Sequence, residues 1–211
     1  MGHLDFVRAV VRALRRAGVP VAYTHGFHPG PRLTLGAPLP LGIAGLAEPG
    51  DVLLDGPPED PDGLPQRLSE RAHEGVEFVA ARAAGEANPH LGRSIVLADY
   101  VIVAPGLEDD DVRRVAERAA AQPAWTIHDS RREHWNGVDA RPAVRLLEVA
   151  RLTDVLGDLA PPGAASGLRV RVPVQGSPPI ATLGSVLFES PAERLLLYRA
   201  GLLDAEGRAV R

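Results

Sequence analysis

The chain has 211 residues, one large domain or two small ones, and its 45% hydrophobic and 24% charged content is that of a soluble globular protein. It contains no cysteine and all 23 of its basic residues are arginine. Disulfides, zinc–thiolate and cysteine-held iron–sulfur sites, cysteine nucleophiles, Schiff-base lysines and P-loop lysines are therefore excluded. The net charge of −4 hides an asymmetry, because residues 1–32 hold five arginines against Asp5 alone, net +4, leaving −8 on the remainder. A basic N-terminal patch on an acidic protein can steer an anionic partner to one place.

Leu4, Val7, Val11 and Leu14, joined by Phe6 and Val10, give a 3.6-residue apolar period and predict an opening helix stopped by Gly18 and Pro20. Arg8, Arg12, Arg15 and Arg16 fall on one stripe of that helix. Turn-forming residues follow from Tyr23 to Arg32. Strands are expected at Leu33–Leu35 and Asp51–Asp55, a proline-rich acidic loop over 56–63, a helix over 63–73 and a strand over Val76–Ala84. Residues 85–93 have no periodicity and read as a linker.

The second half is expected to hold a strand over Ile95–Val103 and a helix over Glu108–Ala121, whose acidic first turn suits a helix N-terminus. Strands follow at 124–128, 143–150 and 168–174, then helices at 179–189 and 191–203. Both halves approach the β-α-β-β-α-β order. The expected fold is α+β, with two ferredoxin-like units side by side, 1–86 and 94–211, the first lacking its opening strand. A single larger α+β domain is the alternative.

No stretch approaches the ~18–20 apolar residues of a membrane span, and no basic head with an apolar core opens the chain, so a cytoplasmic location is expected. Nucleotide-fold, nucleophile-elbow and zinc-helix motifs are absent, and neither a cofactor nor a metal site is expected.

The densest chemistry lies between His25 and Arg32, where His25, Gly26, Phe27, His28 and Arg32 follow Tyr23. Arg32 and the helical arginines suit phosphates, Phe27 or Tyr23 suits stacking on a base, and a histidine suits donation. His25 or His28 could also serve as general acid or base. A structural Gly-Pro loop with Phe27 plugging the core is the plain alternative, as an amphipathic surface helix is for the arginine stripe. The loop from Asp129 to Arg141 interleaves Arg131, Arg132, Asp139 and Arg141 with Trp135, a second nucleic-acid candidate. There, Asn136-Gly137 is equally a turn signal and Trp135 a core cap.

The runs Gly2-His3-Leu4-Asp5-Phe6-Val7-Arg8, Arg12 through Thr24, Gly26-Phe27-His28-Pro29-Gly30-Pro31-Arg32 and Ala37-Pro38-Leu39-Pro40-Leu41-Gly42 resemble the bacterial radical-SAM-associated family of unknown function. Gly75-Val76-Glu77 and Val138-Asp139-Ala140-Arg141-Pro142 extend the likeness over nearly the whole chain. The resemblance implies a radical SAM protein as partner and adds His3 and Asp5 to the candidate binding residues. It also implies a strand ahead of the first helix, which this chain is expected to lack. Four positions depart from the family pattern: Gly2 stands where a capping serine is usual, and His28, Gly30 and Arg32 replace asparagine, histidine and lysine of the loop. The basic end of the loop is retained. By analogy with other paired ferredoxin-like proteins, the leading expectation is a non-catalytic accessory subunit that binds an RNA substrate for the radical SAM partner. A metal-independent RNA-processing enzyme using a loop histidine, and a protein–protein adaptor, are the rivals.

Overall fold

The computed structural model describes residues 2–84, 91–129 and 132–210. In chain order its elements are α1 (His3–Arg16), β1 (Leu33–Leu35), β2 (Ile43–Gly45), β3 (Gly50–Val52), α2 (Leu64–Glu70), α3 (Leu91–Ser94) and β4 (Leu97–Val103). They continue with α4 (Asp109–Ala121), β5 (Leu146–Arg151), α5 (Leu152–Leu156), β6 (Ser166–Pro173), α6 (Ile180–Phe188) and β7 (Leu196–Leu203). This is an α+β protein with two sheets. The chain divides into two compact units, Met1–Leu41 with Glu48–Ser94, and Gly42–Ala47 with Ile95–Arg211.

In the first unit α1 buries Ala9, Val10, Ala13 and Leu14, while Leu4 stands 69% exposed. The apolar face is thus rotated from the one expected, toward Phe6 and Val10. The helix ends in a Schellman motif: Gly18 at φ 70° donates its N–H to the Arg15 carbonyl, and Val19 donates to Leu14. That ending folds Val19 back onto Leu14, and both join Val10, Leu64 and Leu68 in one apolar cluster. Strands β1 and β3 pair antiparallel beneath it, with Leu33 opposite Val52.

The strand expected over Val76–Ala84 is not formed among the described residues. Phe78 instead anchors the segment, its side chain in the cluster and its N–H donated 2.8 Å to the Ser69 hydroxyl. The expected linker is described only from Leu91, which is buried in the one-turn α3. Residues 85–90 lie outside the described residues.

The second unit holds a five-stranded sheet in the order β2-β7-β4-β6-β5. Neighbouring strands are antiparallel, except that β2 runs parallel to β7. Helix α4 links β4 to β5 and α6 links β6 to β7. On one face Ile102, Leu168, Val170 and Leu197 are buried, and α6 approaches so closely that a Cβ on Gly184 would meet Ile102 at 3.4 Å. On the other face α5 covers Val101 and Val103 with Leu152 and Leu156.

Two elements differ from expectation. Residues 191–203, expected as a helix, form a short 3-10 turn and then β7. A central strand covered on both faces carries an almost continuous apolar run, which periodicity does not distinguish from a buried helix. The expected strand at 124–128 reduces to one bridge, Thr126 to Asp139, closed by the Asn136-Gly137 turn with Gly137 at φ 79°.

Candidate nucleic-acid interface

The loop after α1 rises from a backbone junction of three segments. Ala22 donates to the Leu53 carbonyl, Leu53 to Arg32, and Arg32 back to Ala22, at 2.8–2.9 Å. Above this ring Tyr23 and Pro31 form a bridge. The Thr24 N–H donates to the Gly30 carbonyl at 2.8 Å and the Gly30 N–H to the Thr24 hydroxyl at 3.0 Å. A neck closed this way confines conformational freedom to the tip, His25-Gly26-Phe27-His28-Pro29. Gly26 turns there at φ 126°, a conformation side chains rarely adopt.

Phe27 at the tip is fully solvent-exposed and Tyr23 at the neck is 45% exposed. Phe27 therefore does not plug the core. Leaving a whole phenyl ring in water forgoes about 1.5–3 kcal/mol of burial. His25 and His28 are exposed, and neither ring has a hydrogen-bond partner among the described residues. An acid–base histidine is ordinarily oriented by a second group, and none is in place among the described residues.

On α1 the arginines face away from the buried stripe and are all exposed. Arg8 pairs with Asp5 at 3.3 Å, both side chains about two-thirds exposed. Arg12, Arg15, Arg16 and Arg32 have no ion-pair partner among the described residues. His3 stands at the opposite end of α1 from Arg15 and Arg16. It lines a cleft with Phe6, Leu35, Gly36, Leu39 and Glu48 whose volume of about 10 Å³ admits one water at most. The first unit thus combines an exposed guanidinium face with an aromatic-tipped loop.

Asp139 and Arg141 belong to the second unit and are committed to its own backbone. The Asp139 carboxylate accepts the N–H groups of Trp125 at 2.8 Å and Arg141 at 3.0 Å. The Trp125 N–H foremost, then that of Arg141, holds the carboxyl below the usual carboxylate range. The Arg141 guanidinium donates to the carbonyls of Ala120 (3.0 Å) and Gln122 at the end of α4, and lies 5.8 Å over the Trp125 ring. Trp125 is buried, with its indole N–H on the Ala119 carbonyl at 2.8 Å. These three residues cap a helix. Trp135 is half-buried and sits beside His134, while Arg131 lies outside the described residues.

One constellation escaped sequence reasoning. Asp99 on β4, almost wholly buried, binds Arg169 and Arg171 of β6, and Arg169 reaches Glu148 of β5. These residues are 49 and more positions from Asp99, and only the strand register aligns them. The alternating arginines of 168–174 were the visible signal, legible only as a wet strand face.

Over residues 1–170 the chain matches the family described as uncharacterized protein conserved in bacteria (DUF2344), and it belongs to that family. Neither the curated proteins nor the solved structures gave a match.

Proposed function

We propose that the protein is a non-catalytic accessory subunit that binds single-stranded RNA through the first unit and serves a radical SAM enzyme. The observation that carries the RNA reading is the fully exposed Phe27, held on a closed neck in the same unit as four arginines without carboxylate partners among the described residues. An aromatic ring fixed in water is a platform for an unstacked base, worth about 1–3 kcal/mol per base stacked. Arg12, Arg15, Arg16 and Arg32 supply the phosphate contacts that fix the strand against it. The radical SAM association rests on the sequence resemblance.

The test is binding of labelled single-stranded RNA to the full chain over a series of salt concentrations. Replacing Arg12, Arg15 and Arg16 by Gln removes three exposed charges and should leave the fold intact, while the log–log salt slope becomes shallower by up to about 2. Phe27→Ala should weaken binding with the slope unchanged. If neither variant alters RNA binding and the arginine variant instead loses co-purification with a radical SAM enzyme, the surface is a protein dock and the adaptor reading replaces this one.

A further inference from the structure

The second unit carries an unusual distribution of charge on one sheet face. Strand register places Asp99 opposite Arg171 and Glu148 opposite Arg169, so all four side chains share that face. Arg169 takes most of the Asp99 carboxylate, with Nε at 3.2 and 3.1 Å from its two oxygens and Nη2 at 2.7 Å. Arg171 is left with a single 3.3 Å hydrogen bond from Nη2 to the same carboxylate. Its Nε is buried and has no hydrogen-bond partner among the described residues. Glu148 is 45% exposed and lies 3.5 Å from Arg169 Nη1, at the limit of a hydrogen bond.

Two guanidinium groups thus share one carboxylate, and Arg169 also reaches a loosely held glutamate. A cationic donor buried without a partner is costly, and native structures retain such groups where a water or ion completes them. The two side chains as a whole remain 31% and 24% exposed, so a small ligand meets the exposed part of the guanidiniums from solvent and not the buried Nε itself. Planar guanidinium forks favour the oxygens of phosphate over water or a simple halide.

We propose that Arg169 and Arg171, bridged by Asp99, form an oxyanion site on the second unit that takes a phosphate group. Asp99 is a positioning residue, which lets two cations sit side by side on a sheet. Glu148 competes with the ligand for Arg169 Nη1. The site is independent of the RNA-binding surface proposed for α1 and its loop.

The experiment follows the arginine Nε–H resonances of the full chain during titration with inorganic phosphate at constant ionic strength. The Arg171 signal, assigned by its absence in Arg171→Gln, should shift saturably. Glu148→Gln alters an exposed residue and should tighten phosphate binding about threefold, the effect of removing a like charge about 6 Å away in water-like dielectric. A short single-stranded oligoribonucleotide without terminal phosphates is the second arm. If it shifts the same signal, the phosphate is that of a nucleic-acid backbone, and if only inorganic phosphate does, it is that of a small phosphate compound. The Arg12/Arg15/Arg16→Gln protein should give the same phosphate titration as the parent, which separates this site from the first unit. The absence of a saturable shift in both the parent and Glu148→Gln would overturn the proposal.

Discussion

Asp99→Asn tests the sheet-face ladder on which the oxyanion site depends. The substitution keeps the shape of the side chain and removes its charge. It exchanges one acceptor oxygen for an NH₂ that faces the donors of Arg169 and Arg171. Breaking a fully buried ion pair by removing one partner costs about 3–5 kcal/mol. Here the carboxylate is 3% exposed but the guanidiniums are 31% and 24% exposed and can recover part of their hydration. The expected loss is therefore nearer about 2–3 kcal/mol. In a unit of this size that lowers the melting temperature by about 6–15 °C. Both tryptophans, Trp125 and Trp135, lie in the second unit, so thermal or urea unfolding followed by tryptophan fluorescence reports this unit selectively. Replacing the three residues together (Asp99→Leu, Arg169→Met, Arg171→Met) should recover most of the lost stability, since apolar groups of similar volume leave no buried charge unpaired. A loss for Asp99→Asn no larger than the about 0.5 kcal/mol of an ordinary surface change would refute the reasoning.

Gly167→Ala in β6 places a Cβ 2.8 Å from the Ile102 carbonyl oxygen and 3.1 Å from the Leu152 side chain. It should cost at least about 1–3 kcal/mol by the same fluorescence assay. Gly201→Ala in β7, with nothing within 4 Å, should cost markedly less, and equal losses would count against a packing origin. Arg141→Met strips two carbonyls at the end of α4 of their donor, so unfolding should shift by about 1–3 kcal/mol with RNA affinity unchanged. Weakened RNA binding at undiminished stability would return this loop to the interface. Asp139 and Asp204 are both held below the usual carboxylate range, chiefly by backbone N–H groups of Trp125 and Arg208 respectively. Their folded-state pKa values lie below the unfolded ones, so their contribution is complete above the unfolded range and is lost on acidification, from about pH 5 downward. The stability difference between the parent and Asp139→Asn should accordingly narrow as pH falls toward 3, and a difference constant with pH would contradict the assignment.

Local signals carried the parts of the protein whose structure is decided within a few residues. The span of α1, its stop at Gly18 and the turn-rich segment to Arg32 were readable because helical period, a positive-φ glycine and proline-fixed dihedrals act over one or two turns of chain. The exclusion of thiol and lysine chemistry needed only composition. Phe27 was legible as a candidate but not as an exposed one, since an aromatic beside glycines and prolines serves a core or a surface equally well.

Tertiary structure decided what depends on neighbours. Leu196–Leu203 is a strand because it is inserted between β2 and β4, and Val76–Ala84, apolar enough for a strand, has no ladder among the described residues. Residues 42–47 join the sheet of the second unit through parallel pairing with β7, a partner more than 150 positions away. The Asp99–Arg169–Arg171 ladder and the capping role of Arg141 arise in the same way. Charges far apart in sequence meet only when strand register and helix ends bring them together, and burial then determines whether a guanidinium binds the protein's own backbone or remains available to a ligand.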